Sequence, residues 1–341
     1  MTEQTTSMCP KCYETIPAKT LVKEGAVYLT KHCDKCDHGE EVMLGPDAQK
    51  YKELFGPETK EWMDKIDTCI LNATDRCNMD CMHCYHMPDD TADENIQKII
   101  DGAQTERPNY ILMGAEPTVR KDLPELITKL TEAYGKPVGI YTNGIRLADK
   151  AYLRELQDAG LAFICFSLHT QKYINNDVIW AKKEKALTNI IASQVPLHHI
   201  AFSINGLEDT IDCLRLAHKY WGTCDHFRIR IPGVIGNCGT EPMYITDYLD
   251  HFRETLSELN WPEEHMEADN SPYHYNIDVA GKHFRIIRWP SVHEIDLSLL
   301  EGPPTAKFIE GTESNFVHQA IMQERLREDN MRDRFLGDVK R

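Results

Sequence analysis

The sequence contains no run of about 18 uncharged apolar residues, the length needed to cross a bilayer as a helix. Its first residues, MTEQTTSMCPKCYE, hold no apolar signal core. A cytoplasmic protein without a transmembrane segment is therefore expected. Positive charge is also scarce: 38 Lys+Arg stand against 54 Asp+Glu, a formal net charge of −16. Phosphate backbones are bound mainly through Lys and Arg, so this balance argues against a nucleic-acid partner. No low-complexity tract interrupts the chain. An apolar content of 41% with 27% charged residues excludes disorder as the default state. At roughly 150 residues per domain, 341 residues suggest two or three units with a substantial core.

Cysteine, by contrast, is abundant. Twelve in a reducing compartment point to metal ligation or redox chemistry rather than disulfides. Seven fall into two tight groups. The first comprises two CxxC pairs, Cys9/Cys12 and Cys33/Cys36, separated by twenty residues in a polar, Lys-rich segment with few large apolar side chains. Such a segment cannot build a core alone, and four thiolates at this spacing suit a tetrahedral ion whose binding supplies the folding energy. Zinc and a rubredoxin-like iron use the same ligands, so the metal is either. His38 stands nearby and is read as a bystander.

From about Ile66 to Gly233 short β-rich runs alternate with longer amphipathic ones. The predicted strands are Thr68–Ala73, Tyr110–Met113, Val138–Tyr141, Ala162–Leu168, His199–Ile204 and His226–Ile231. Predicted helices lie near Ala92–Ala103, Leu123–Tyr134, Ala148–Ala159, Lys183–Ser193 and Leu207–Tyr220, after a helical linker over Asp47–Asp64 broken at Gly56-Pro57. Strand–helix alternation implies right-handed βαβ units and a parallel sheet. Six units in this length predict an α/β fold, a partial (β/α)6 TIM-like barrel, with its chemistry at the C-terminal strand ends. After Gly239 the pattern breaks down. Tyr275–Val279 and His283–Trp289 read as a hairpin across Ala280-Gly281, and a charged helix is predicted near Phe316–Phe335. The expected organisation is a four-cysteine module over 1–50, a barrel over 51–240 and an α+β cap over 241–341.

The second cysteine group follows the first predicted strand: Cys77, Cys81 and Cys84 in a C-x3-C-x2-C loop. Thiolates suit iron–sulfur clusters, and a cubane needs four ligands, so three cysteines leave one iron open. Read alone, the loop also fits a zinc knuckle that borrows His83 or His86. Later strand ends carry Met113-Gly114-Ala115-Glu116-Pro117, Thr142-Asn143-Gly144, Phe166-Ser167-Leu168-His169, Ser203-Ile204-Asn205 and Arg228-Ile229-Arg230. Taken in order, these landmarks resemble those of the radical S-adenosylmethionine (SAM) superfamily, over roughly Ile66–Gly236. In that family the loop is C-x3-C-x-Φ-C with Φ usually aromatic; here Φ is His83. The segment CPKC…IPAK…CDKCDHG is similar to the metal-binding leader of enzymes of the tetraether lipid synthase type, which act on lipid or pterin-like substrates.

The resemblance implies a [4Fe–4S] cluster on Cys77, Cys81 and Cys84 with SAM on its open iron. It implies SAM contacts from His83, the turn Gly114, Ala115, Glu116 and Pro117, and from Asn143, Ser167, Asn205, Arg228 and Arg230. It further implies reductive cleavage of SAM and hydrogen abstraction from an unactivated carbon of a non-peptide small molecule or lipid, fed by a donor such as flavodoxin or ferredoxin. A radical SAM methylase or carbon–carbon coupling enzyme is the alternative within the class, and a non-catalytic zinc and iron–sulfur scaffold or sensor the alternative outside it. Cys69 and Cys165 read as small core residues, while Cys224 and Cys238 flank the sixth strand, where a second cluster would find ligands. No cysteine follows Cys238. The auxiliary-cluster region of the family's peptide maturases is therefore not expected. Lys282, His283, Arg285 and Arg288 form a basic run beside Trp289. It reads as one solvated hairpin face or as a cap that receives an anionic substrate group.

Overall fold

A computed structural model of the chain describes residues 2–55, 68–81, 84, 88, 93–103, 107–233, 243–265 and 272–296. His83, Cys238, the later part of the Asp47–Asp64 linker and the helix predicted at Phe316–Phe335 lie outside them. Four strands come first: β1 (Thr2–Met8), β2 (Thr15–Lys23), β3 (Ala26–Cys33) and β4 (His38–Gly45). They form an antiparallel meander in chain order. Glu24 (φ 52°) and Gly25 (φ 83°) make the two-residue turn between β2 and β3. Two successive left-handed residues match the twist of the strands they join. The apolar contribution is small, with Ala18, Val27, Leu29 and Leu44 as one buried cluster.

After α1 (Ala48–Phe55) the chain enters the larger sheet. Its strands are β5 (Thr68–Thr74), β6 (Asn109–Gly114), β7 (Val138–Thr142), β8 (Leu161–Ser167), β9 (Leu197–Ser203) and β10 (His226–Arg230). Between them run α2 (Ile96–Asp101), α3 (Leu123–Tyr134), α4 (Lys150–Asp158), the single turn α5 (Gln171–Ile174), α6 (Asp177–Ile191) and α7 (Thr210–Lys219). All six strands lie parallel in sequence order, the partial barrel that the alternation predicts. Local chemistry sets the ends. Gly135 closes α3 at φ 64°, a conformation that favours glycine, and Asn176 caps α6 by accepting from the N–H groups of Val178 and Ile179.

Beyond β10 the structure is more regular than the sequence reading. A helix, α8 (Ile245–Glu258), follows β10, then β11 (Glu263–His265), β12 (His274–Val279) and β13 (Lys282–Ile287). The predicted hairpin is β12–β13, but it does not stand apart: β13 pairs parallel with β10 and extends the barrel sheet to nine strands. The outer face of this extension is apolar. Phe227 stacks on Phe284 at 5.2 Å and on Trp221 at 5.9 Å, and Phe252 of α8 reaches Phe284 at 6.0 Å. Alternation then turns His226, Arg228 and Arg230 to the inner face, in register with His283, Arg285 and Ile287.

The segment after β13 fastens the small sheet to the large one. Lys31 is buried in β3; its Nζ donates to the carbonyls of Met8 (2.9 Å) and Val292 (3.0 Å) and pairs with Glu40 (3.1 Å). His293 Nδ1 lies 2.8 Å from a Glu40 oxygen, and Ser7 forms a β-bridge with Asp296. Arg288 is part of this joint. It is buried, donates to the Met243 carbonyl at 3.0 Å and pairs with buried Glu294. That placement corrects the reading of Arg288 as a substrate-receiving group, because its charge is already matched inside the protein.

Candidate active site

With the exception of Arg228, the described landmarks at the predicted strand ends sit on the C-terminal side of the parallel sheet, as strand direction requires. Cys77 follows β5 by three residues. The loop that carries the cysteines is anchored at both ends by one acid: Asp93, just before α2, accepts from Thr74 Oγ1 (2.5 Å) and Arg76 Nε (3.2 Å) and forms an ion pair with the Arg76 guanidinium. The turn after β6 holds the same root from the other side. Ala115 N–H donates to the Thr74 carbonyl at 2.9 Å, and Glu116 N–H to the Arg76 carbonyl at 3.0 Å.

Gly114 makes that approach possible. Its φ is 122°, and a Cβ there would lie 2.1 Å from the Thr74 carbonyl oxygen and 2.3 Å from Asn72 Oδ1. Both contacts are sterically forbidden, so Gly114→Ala must push β5 and β6 apart at the loop root. We expect this variant to lose roughly 2–4 kcal/mol of stability from strain and overpacking together. Iron bound per reconstituted chain should fall at least about twofold while zinc content stays unchanged, as elemental analysis and thermal melting will show.

Glu116 is buried, and its carboxylate is engaged within the protein. One oxygen accepts from Thr118 N–H (3.0 Å), Thr118 Oγ1 (2.5 Å) and Thr142 Oγ1 (2.7 Å), and the other from Asn143 N–H (2.6 Å). Its side chain therefore ties the turn after β6 to the turn after β7. Asn143 carries the connection onward: its Nδ2 donates to Asn78 Oδ1 at 2.8 Å and lies 3.8 Å from Cys77 Sγ.

Burial pushes the Cys77 thiol up to about 12, with Glu116 and the neighbouring Cys81 and Cys84 adding to the shift. Burial and Cys84 likewise raise Cys81, opposed by the positive charges of Lys183 and Arg230. The three thiols thus share one electrostatic neighbourhood, and each gains from a cation that takes up the thiolate charge.

Lys183 was not legible as a site residue. It projects from α6, is fully buried, and its Nζ donates to the carbonyls of Ser167 (2.6 Å) and Asn143 (2.8 Å). Burial lowers it to about 8, against the attraction of Cys81, Glu116 and Cys77. A signal was present in the sequence: Lys183 lies on the same helical face as buried Ala186, Leu187 and Ile190, a charge on a stripe that faces the core. Of the remaining expected residues, Ser167 offers its carbonyl to Lys183, and Asn205 caps the turn through its N–H to Asp209 (2.9 Å). Arg230 faces Cys81 and His169. Arg228 is different. It lies two residues closer to the N-terminal mouth, bonds to the Tyr141 hydroxyl and adjoins His199.

Two buried polar atoms at these strand ends lack a hydrogen-bond partner: His169 Nδ1, on a residue with φ 58° that stacks on Tyr173, and Asn205 Oδ1. Orphaned polar atoms on the same side of the sheet as the three thiols suit a polar ligand. The other cysteine group converges as well. The sulfur atoms of Cys9, Cys12, Cys33 and Cys36 all lie within 4.8 Å of one another, with Cys12 and Cys33 at 3.7 Å. Burial acts to raise the Cys9 thiol, but N–H groups of Cys12 and Lys11 overcome it and bring it down to about 7, as suits a metal-binding thiolate.

A parallel half-barrel with three thiols behind its first strand has the donor set and placement to hold an iron–sulfur cluster. Residues 71–236 match the radical SAM superfamily and residues 1–44 match the HMPTM N-terminal zinc ribbon domain; the chain thus carries a radical SAM domain behind a zinc ribbon. It is 31% identical over 200 residues to a 7,8-dihydro-6-hydroxymethylpterin dimethyltransferase of Methanocaldococcus jannaschii, covering 48% of this chain and 38% of that protein. It is 32% identical over 144 residues to an Fe-coproporphyrin III synthase of Methanosarcina barkeri, covering 40% and 35%. A probable GTP 3′,8-cyclase of Sulfolobus acidocaldarius is 32% identical over 125 residues, covering 35% and 37%. The matched segments span less than two-fifths of the length of these curated relatives.

Proposed function

We propose that the protein is a radical SAM enzyme that acts on an unactivated carbon of a non-peptide small molecule or lipid. The observation that carries this reading is the loop of Cys77, Cys81 and Cys84, rooted on the turn after β6 by Ala115 and Glu116. In this reading Cys77, Cys81 and Cys84 hold a [4Fe–4S] cluster and Cys9, Cys12, Cys33 and Cys36 a zinc ion. When bound, the cluster and SAM supply one-electron cleavage of the S–C5′ bond and a 5′-deoxyadenosyl radical that abstracts hydrogen. The chain's own residues position. Asn143 holds the loop beside Cys77, Lys183 fixes the strand ends through the Asn143 and Ser167 carbonyls, and Arg230 offers a charge to the SAM carboxylate. His169 Nδ1 and Asn205 Oδ1 are polar partners for SAM's remaining groups.

The electron comes from a flavodoxin- or ferredoxin-type donor, and the enzyme works in the cytoplasm. Among the described residues no helix is long and apolar enough to cross a membrane.

A second reading, a radical SAM methylase of a pterin-like ring, is favoured by the zinc-ribbon match and by the name of the Methanocaldococcus relative. One experiment addresses both. The anaerobically reconstituted protein, given dithionite and SAM, is expected to release 5′-deoxyadenosine. S-adenosylhomocysteine formed alongside, once a methyl acceptor is added, would select the methylase. Zinc as the only metal, with no 5′-deoxyadenosine, would overturn both and leave a scaffold.

A further inference from the structure

The N-terminal mouth of the barrel, opposite the three-cysteine loop, holds a cluster that the proposed function does not use. Cys165 of β8 and His198 and His199 of β9 each offer a ligand atom, and the three atoms lie within 4.8 Å of one another. Successive residues of a regular strand face opposite sides, so two adjacent histidines could not normally share one site. Here the register slips: Ile164 pairs with Leu197 and Cys165 with His199, which leaves His198 as an extra residue on β9. Such a bulge re-aims a side chain, and bulges gather at barrel rims and beside functional sites. Its effect is to bring the exposed His198 ring beside the buried His199 ring, with their Nδ1 atoms 3.1 Å apart.

We propose that Cys165, His198 and His199 form a further metal site for a borderline divalent ion of the Zn2+ class, with its fourth position open to the cavity beneath the barrel. The donor set is right for such an ion, since thiolate and imidazole together select zinc and its neighbours. Spacing agrees as well. Tetrahedral bonds of about 2.0–2.3 Å place donors roughly 3.3–3.8 Å apart, within small side-chain movements of those seen. His199 is fully buried and its Nε2 has no hydrogen-bond partner. A buried imidazole nitrogen without a partner is costly unless something binds it.

Metal ligation needs the thiolate and neutral imidazoles, so binding releases the Cys165 thiol proton to solvent and leaves a thiolate on the metal.

The open position gives onto a cavity of about 580 Å3 lined by Arg228 and Arg285, with Lys282 paired to Asp225 and His283 to Asp278. The two arginines oppose a bare dication but suit one that already bears a thiolate. Three protein ligands and one exchangeable position are the arrangement of catalytic rather than structural zinc.

Cobalt substitution tests this independently of SAM chemistry. The full chain, stripped of metal and titrated anaerobically with Co2+, should bind one equivalent more than H198A, the variant at the exposed histidine. The wild-type-minus-variant spectrum should show tetrahedral d–d bands with charge transfer from a single thiolate. Sites at the ribbon and the three-cysteine loop are common to both proteins and cancel in the difference. Should H198A fold poorly, C165S provides the same difference, and anomalous scattering at the zinc edge on wild-type crystals should place a peak between Cys165 and His199. Equal cobalt stoichiometry in wild type and variant, or no anomalous peak there, overturns the assignment.

Discussion

Cys77→Ala is expected to remove the cluster altogether, not merely weaken it. The broad absorption of a [4Fe–4S] centre at about 400 nm should disappear after anaerobic reconstitution, and 5′-deoxyadenosine should fall below detection, a loss of at least about 10³-fold. The reason lies in ligand number. In the proposed reading the loop offers three thiolates and leaves the fourth iron for SAM, so removing Cys77 leaves two, and none of the other described cysteines stands in to replace it. Among the described residues the other cysteines of this sheet and its helices lie elsewhere: Cys69 and Cys165 are buried within β5 and β8, Cys213 is buried on α7, and Cys224 donates to the His226 carbonyl at 3.0 Å. Cys213→Ala supplies the control, since it opens a small cavity in the outer core yet should keep iron and absorbance at the wild-type level. Retention of the 400 nm band in the Cys77 variant would mean that another residue ligates the cluster.

How much of this site could be read before the structure depends on which residues carry local signals. The six strands were legible because each is a short β-rich run bounded by turn chemistry, and the cysteine loop was legible because ligand spacing is a property of the chain alone. Helix α8 was legible too, yet was missed. Ile245, Tyr248, Leu249, Phe252 and Leu256 repeat at helical spacing and are all buried. The place of β13 beside β10 was not local information. Hairpin strands reveal their turn and their alternation, whereas the neighbour they choose depends on α8 carrying the chain back along the sheet. The bulge at His198 is of the same kind, since an extra residue is defined only against the register of β8. Lys183 and Glu116 show a further limit. Each serves by bonding to backbone or side-chain groups on other strand ends, and no spacing within the sequence records those partners.

The ribbon gives the second large effect. Replacing Cys33 by serine, or stripping the metal with a chelator, is expected to unfold β1–β4 while β5–β10 keep their structure. Beside the cysteine end, where Cys9, Ile16 and Cys33 pack around the proposed ion, burial contributes the small apolar cluster of Ala18, Val27, Leu29 and Leu44 together with Met8 and Ala26. Structural zinc in such a module supplies roughly 10–16 kcal/mol of apparent binding energy, so its loss exceeds what these few apolar side chains can offset. The consequence should travel along a specific route. Lys31 sits in β3, one strand residue pair from Cys33, and holds the Val292 carbonyl, while Ser7 of β1 bridges to Asp296. Hydrogen exchange of the metal-free protein should therefore show faster exchange in residues 2–45 and, to a smaller extent, in 291–296, with the strands of the large sheet protected as before. If the small sheet kept its protection without metal, burial and the Lys31–Glu40 contacts would suffice to fold it, and the four thiols would have to be assigned a role other than structural.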